Sequence, residues 1–145
     1  MGVVVALEPH RIKREWEEEK KLLGEISVND IQLTAKEIFT PVFTTFHFSY
    51  SFLEEACMDL ALEAFLSGGK FSKFVENNSL PFRYKLRAVV IIGGIASELY
   101  TFISGWVEGP QAGDEEIKGA VEEYITFWWK KGLEAGYRRK RLGLQ

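Results

Sequence analysis

Three carboxylates, Glu55, Asp59 and Glu63, stand four residues apart, the spacing that lines one side of a helix. Such a row carries the oxygen ligands a divalent cation prefers. The Glu-x-x-His pairs of helical dimetal sites are missing, however, because neither His10 nor His47 has a glutamate three residues before it. The row reads instead as a solvated helix face, and neither a metal nor a cofactor is expected. Glu98 is the more unusual acid, since it is the one charged residue between Ala88 and Val107. Burying a lone carboxylate is expensive, so Glu98 either faces outward, pairs with a cation, or serves as a buried acid that anchors a ligand.

Nucleophilic chemistry finds little material. Cys57 falls on the apolar side of its segment, where a buried structural thiol is expected. His47 sits among Phe46, Phe48 and Tyr50, a setting for a partly buried histidine rather than a base. The chain holds no G-x-S-x-G, H-E-x-x-H or P-loop pattern. No catalytic residue is assigned, and the chain reads more readily as a non-enzyme.

The remaining chemistry is anionic recognition. Six of the sixteen residues after Trp129 are basic and only one is acidic, although the whole chain carries a net charge of -3. Lys130, Lys131, Arg138, Arg139, Lys140 and Arg141 could hold phosphate, nucleic acid or an acidic partner through charge-assisted hydrogen bonds. The competing explanation is simple: cations gather where the helix dipole leaves partial negative charge. Trp128 and Trp129 could stack on bases, yet adjacent residues on a helix cannot share a face, so one of them belongs to the core.

The elements that must position these groups read as helices. The chain has 145 residues, 46% hydrophobic and 27% charged, the length and composition of one globular domain spanning 1–145. A single cysteine admits no internal disulfide, and the short apolar run Val3–Leu7 lacks the basic residues of a secretory signal, so a cytoplasmic setting is expected. In residues 8–24, Ile12, Trp16 and Leu23 give a narrow apolar stripe on a charged helix. Ser27-Val28-Asn29-Asp30 signals a helix start, and Ile31, Ala35, Ile38 and Phe39 carry that helix to about Phe39.

Thr40-Pro41 opens the next segment, where Phe46, Phe48, Tyr50 and Phe52 fit either a strand's alternation or a helix face. The proline start favours helix. Leu53 to Phe65 forms a broad apolar face, which Ser67-Gly68-Gly69 is expected to end. Asn77, Asn78 and Pro81 mark a loop. From Phe82 to Val107 the chain is so apolar that a helix buried on most sides is expected, with Gly93-Gly94 marking a bend or a close backbone approach. That run is also long enough for a bilayer, but Glu98 near its middle would cost about 2.5–3.5 kcal/mol on an insertion scale, and no membrane is expected. Asp114 starts the last helix, whose buried face is Ile117, Val121, Tyr124, Ile125, Trp128 and Leu133; residues 138–145 read as a basic tail.

Two stretches, Glu54 to Gly68 and Phe127-Trp128-Trp129-Lys130-Lys131-Gly132 with the basic end behind it, resemble the YbaK-type family of small uncharacterised proteins from spore-forming bacilli. That family is distinct from the aminoacyl-tRNA deacylases sharing the name. The resemblance implies a bacillar cytoplasmic protein and brings no activity, substrate or catalytic residue to these positions.

The sequence thus specifies an all-α, single-domain bundle of about five or six helices around one long apolar central helix. The aromatic load exceeds what obvious core positions use, so an interaction or regulatory module that binds a protein partner or its own copies is the leading expectation. A small-molecule or metal-dependent helical enzyme built on acids, and nucleic-acid or anion binding through the basic end, are the alternatives.

Overall fold

The computed structural model of the chain describes residues 16–42, 51–106 and 114–143. Its helices are α1 (residues 16–23), α2 (Val28–Phe39), α3 (Ser51–Phe71), α4 (Phe82–Trp106) and α5 (Asp114–Arg141). Among the described residues the extended backbone amounts to an isolated bridge between Glu76 and Ser79. The all-α reading therefore holds. The Phe46–Phe52 ambiguity lies mostly outside the described residues; Ser51 and Phe52 belong to the helix Ser51–Phe71.

α2 begins where its sequence signal stands. The Ser27 hydroxyl accepts a 3.0 Å hydrogen bond from the amide of Asp30, satisfying one of the donors that a helix start leaves free. Ile31, Ala35 and Phe39 then turn inward, four residues apart, and all three are buried.

α3 and α5 make the most extensive packing in the molecule. They run in the same direction: Cys57 meets Tyr124, Phe65 meets Gly132, and Ser72 meets Gly136. A parallel pair requires a long return, which α4 supplies. At the crossing the two backbones touch. A Cβ on Gly68 would lie 1.9 Å from the carbonyl oxygen of Trp129, and one on Gly132 would lie 1.8 Å from that of Phe65. Around this contact the Trp129 indole donates to the Ser67 hydroxyl at 3.2 Å, and the Phe71 ring meets Trp129 edge-on at 5.3 Å.

Gly68 and Gly69 do not end α3, as their sequence suggested; the helix continues through Phe71 and tightens into a 3-10 turn, Ser72–Phe74. Their lack of side chains serves helix contact instead, Gly68 against α5 and Gly69 against the Leu22 side chain of α1. The chain turns at Asn77 and Asn78, both at positive φ (51° and 63°), between reciprocal Glu76 and Ser79 hydrogen bonds of 2.8 and 2.9 Å. Asparagine tolerates this left-handed pair better than most residues. Phe74 then stacks on Tyr84, rings 4.0 Å apart, and fixes the start of α4.

α4 has nearly the predicted bounds but not the predicted place. It is not a central rod: Ala88, Ile95, Ala96, Leu99 and Ile103 pack inward, while the opposite side is open. The centre belongs to α3 and α5, because their glycine contact closes the space that a rod between them would need. The basic end likewise differs from expectation. Arg138 to Arg141 form the last turn of α5 rather than a tail, continuing a helix that Ala135 and Gly136 still hold against the core.

Candidate interaction surface

The outward side of α4 is the most unusual surface among the described residues. Phe82, Leu86, Val89 and Val90 are 73, 54, 67 and 74% exposed. Exposed apolar residues scattered singly are ordinary, but a contiguous set on one helix is not. The set continues in small residues. Phe82, Leu86, Val90, Gly93, Ser97, Thr101 and Ser104 are spaced by four, four, three, four, four and three, and every one is exposed. That spacing averages close to 3.6 residues, so the seam stays on one side of the helix for its whole length.

α4 continues unbroken through Gly93 and Gly94, and a Cβ on either would meet nothing within 4 Å. The close approach their sequence suggested is absent within the chain. The Ser104 hydroxyl folds back onto the carbonyl oxygen of Thr101 at 3.1 Å, so covering it would orphan no donor. Glu98 is exposed on the edge of this seam, and so is Arg87. The buried-acid reading of Glu98 is therefore corrected: α4 is amphipathic, and the single charge in the run faces out.

The exposure of Leu86, Val89 and Val90 was missed because apolar residues occupy both sides of α4. A signal was nonetheless present. Arg83, Arg87, Glu98 and Thr101 all fall within one half of the helical wheel, which marks that side as the wet one.

The cationic residues are brought to one end of α5 but largely engage their own chain. Arg138 lies 3.7 Å from Glu25 and Lys131 lies 3.8 Å from Glu134. Lys140 donates to the carbonyl of Lys73 at 3.4 Å, and Arg141 stands over the Tyr137 ring at 5.9 Å. Lys130 and Arg139 complete the set, Lys130 exposed and Arg139 half-buried. Glu55, Asp59 and Glu63 are exposed along α3, and among the described residues no three potential ligands cluster for a metal ion. A cleft of about 420 Å³ separates α2 from α5, lined by Asp30, Glu37, Phe127, Trp128, Lys131 and Arg138. Its charges alternate in sign and are partly neutralised by the Glu25 and Glu134 pairs.

Cys57 is the buried thiol its position implied. Burial pushes it up from 9.0 to about 12, with the Glu54 carboxylate adding to the effect. Tyr124 is raised as well, first by burial and then by Cys57; its hydroxyl donates to the Cys57 carbonyl at 2.8 Å. The Trp128 indole N–H nearby is buried without a hydrogen-bond partner.

The folded protein therefore keeps both protons where the unfolded chain sheds them. Stability contributed by Cys57 is complete below pH 9 and is lost as the pH rises from 9 to about 12. At pH 8 the native thiol should react with an aromatic disulfide reagent about a thousandfold more slowly than in urea, since only the thiolate attacks. Equal rates in both conditions would show that Cys57 is accessible.

The fold is that of an all-α single domain, and the chain matches one sequence family along its full length. The model of the "Protein of unknown function (DUF2521)" family covers residues 1–145, and the chain belongs to that family. The "Uncharacterized protein YbaK" of Bacillus subtilis (strain 168) is 25% identical over 135 residues, which is 92% of each chain. The likeness carried by Glu54 to Gly68 and Phe127 to Gly132 thus extends over nearly the whole molecule. No solved structure matches.

Proposed function

We propose that this protein is a non-enzymatic cytoplasmic interaction module that self-associates through the outward side of α4. The observation that carries the reading is the row Phe82, Leu86, Val89 and Val90, which stands in water along one side of a helix. Covering such a row would remove apolar surface from water at about 25 cal/mol per Å². The acids and cations elsewhere support no competing site, because they are exposed, paired within the chain, or dispersed.

A bilayer is the other environment that could cover α4. Phe82–Gly105 is long and apolar enough to cross a membrane, with a mean hydropathy of 1.6 and only 28% of its most apolar window buried. Against a span stand Arg87, Glu98, Ser97 and Thr101 on the open side, since charged and polar groups facing lipid are costly.

The test is the molar mass of the detergent-free protein in solution across a concentration series, with Val90→Glu beside it. A concentration-dependent dimer is expected, weakened at least tenfold by Val90→Glu with the circular dichroism unchanged. A monomer at every concentration overturns the reading. So does a protein that stays insoluble without detergent and floats with neutral phosphatidylcholine vesicles.

A further inference from the structure

The seam on α4 is unlike at its two ends, and the difference is informative. Its first half presents large apolar side chains, Phe82, Leu86 and Val90; its second half presents Gly93, Ser97, Thr101 and Ser104. Two such seams laid parallel would set large against large and leave a gap where small meets small. Laid antiparallel, they set large against small along the whole length.

Charge points to the same arrangement and fixes its register. Arg87 follows the seam residue Leu86 by one position, and Glu98 follows the seam residue Ser97 by one. Both therefore lie on the same flank. In an antiparallel pair related by a twofold axis, each flank faces its own equivalent. When the axis passes between Ile92 and Gly93, residue 87 of one copy lies level with residue 98 of the other. In a parallel pair the twofold runs along the helices and sets each flank against the opposite one, so Arg87 and Glu98 of the two copies stay on opposite sides of the seam and no charge pair forms.

The register that aligns these charges also staggers the seam. Leu86 falls level with the space between Ser97 and Thr101 of the other copy, Phe82 between Thr101 and Ser104, and Val90 between Gly93 and Ser97. The open space around Gly93 and Gly94 then lies at the crossing point, where a second backbone must come closest. This is the ridge-into-groove condition for packed helices. Within one chain the same device is already in use, since Gly68 and Gly132 let α3 and α5 touch.

Resting on the self-association proposed above, we infer that two copies of this chain pair through antiparallel α4 helices crossing between Ile92 and Gly93, with Arg87 of each copy beside Glu98 of the other. The small residues admit the second helix, the large ones fill it, and the charge pairs select its direction.

Charge exchange and disulfide trapping test the arrangement on the full chain. Arg87→Glu alone and Glu98→Arg alone should each weaken the dimer about tenfold, by placing like charges together at both symmetry-related contacts. The double exchange, Arg87→Glu with Glu98→Arg, should return it to within about threefold of the parent.

Under oxidation, Leu86→Cys alone should not cross-link, because the two sulfurs would stand roughly 20 Å apart along the helices at 1.5 Å per residue. A mixture of Leu86→Cys and Ser97→Cys chains should give a heterodimeric disulfide, the levels differing by only about 3 Å. Native Cys57, buried with its thiol pushed up to about 12, stays silent.

Failure of the two readings is distinguishable. A chain that never dimerises removes both. A dimer weakened by Val90→Glu that cross-links readily as Leu86→Cys alone, or that the double exchange fails to restore, leaves the surface standing and overturns the antiparallel register.

Discussion

Gly132→Ala is expected to lower the stability of the protein by about 3 kcal/mol or more, or roughly 10 °C in melting temperature for a chain of this size. The added methyl would lie 1.8 Å from the carbonyl oxygen of Phe65 and 2.7 Å from its carbon. Both are backbone atoms of a helix, so no side-chain rotation relieves the clash; α3 and α5 must move apart. Separation loosens Trp129 from Ser67 and from Phe71, contacts made on either side of the crossing. Alanine's better helix propensity returns only about 1 kcal/mol.

Gly119→Ala supplies the internal comparison. It lies in the same helix, and its Cβ would meet nothing within 4 Å. That variant should gain about 0.5–1 kcal/mol. Thermal melts of the two variants should therefore shift in opposite directions, and a Gly132→Ala protein as stable as the parent would refute the close contact of α3 and α5.

Phe39→Ala should cost about 3–5 kcal/mol, the range for emptying a buried aromatic site. Phe39 is fully buried at the end of α2, its ring 5.3 Å from that of Tyr124 on α5. Tyr124 in turn donates to the Cys57 carbonyl on α3. Three helices therefore meet at this pair, and the cavity left by the missing ring cannot be filled from one side without disturbing another.

The ion pairs that also tie the periphery, Lys70 with Glu19 and Arg138 with Glu25, are exposed enough to contribute little by comparison. Urea denaturation gives the measurement. A loss below about 1 kcal/mol would mean that α2 is held by something other than this junction. With a total stability of about 5–15 kcal/mol for a typical domain, the expected loss would be plain in the midpoint.

The amino-acid sequence alone determined where helices form. Ser27 and Asp30 set the start of α2, the apolar spacing of Ile31, Ala35 and Phe39 chose its inner face, and the run from Phe82 gave α4 its length. These are local matters: a cap bonds to an amide three residues away, and periodicity is a property of one helix. The buried cysteine and the need for one inward tryptophan were legible for the same reason, although both Trp128 and Trp129 turn out to be buried.

What only the tertiary structure decided is which neighbour each face meets. Two glycine pairs look alike in sequence, yet Gly68-Gly69 is packed against other helices while Gly93-Gly94 faces open space. No local signal separates them, because what Gly68 and Gly69 meet lies more than forty positions away in the chain. The same limit made α4 read as a central rod and left Glu98 undecided between core and surface. Hydrophobicity states that a face will be covered; it takes the positions of the other helices to show that, for one side of α4, this chain supplies no cover among its described residues.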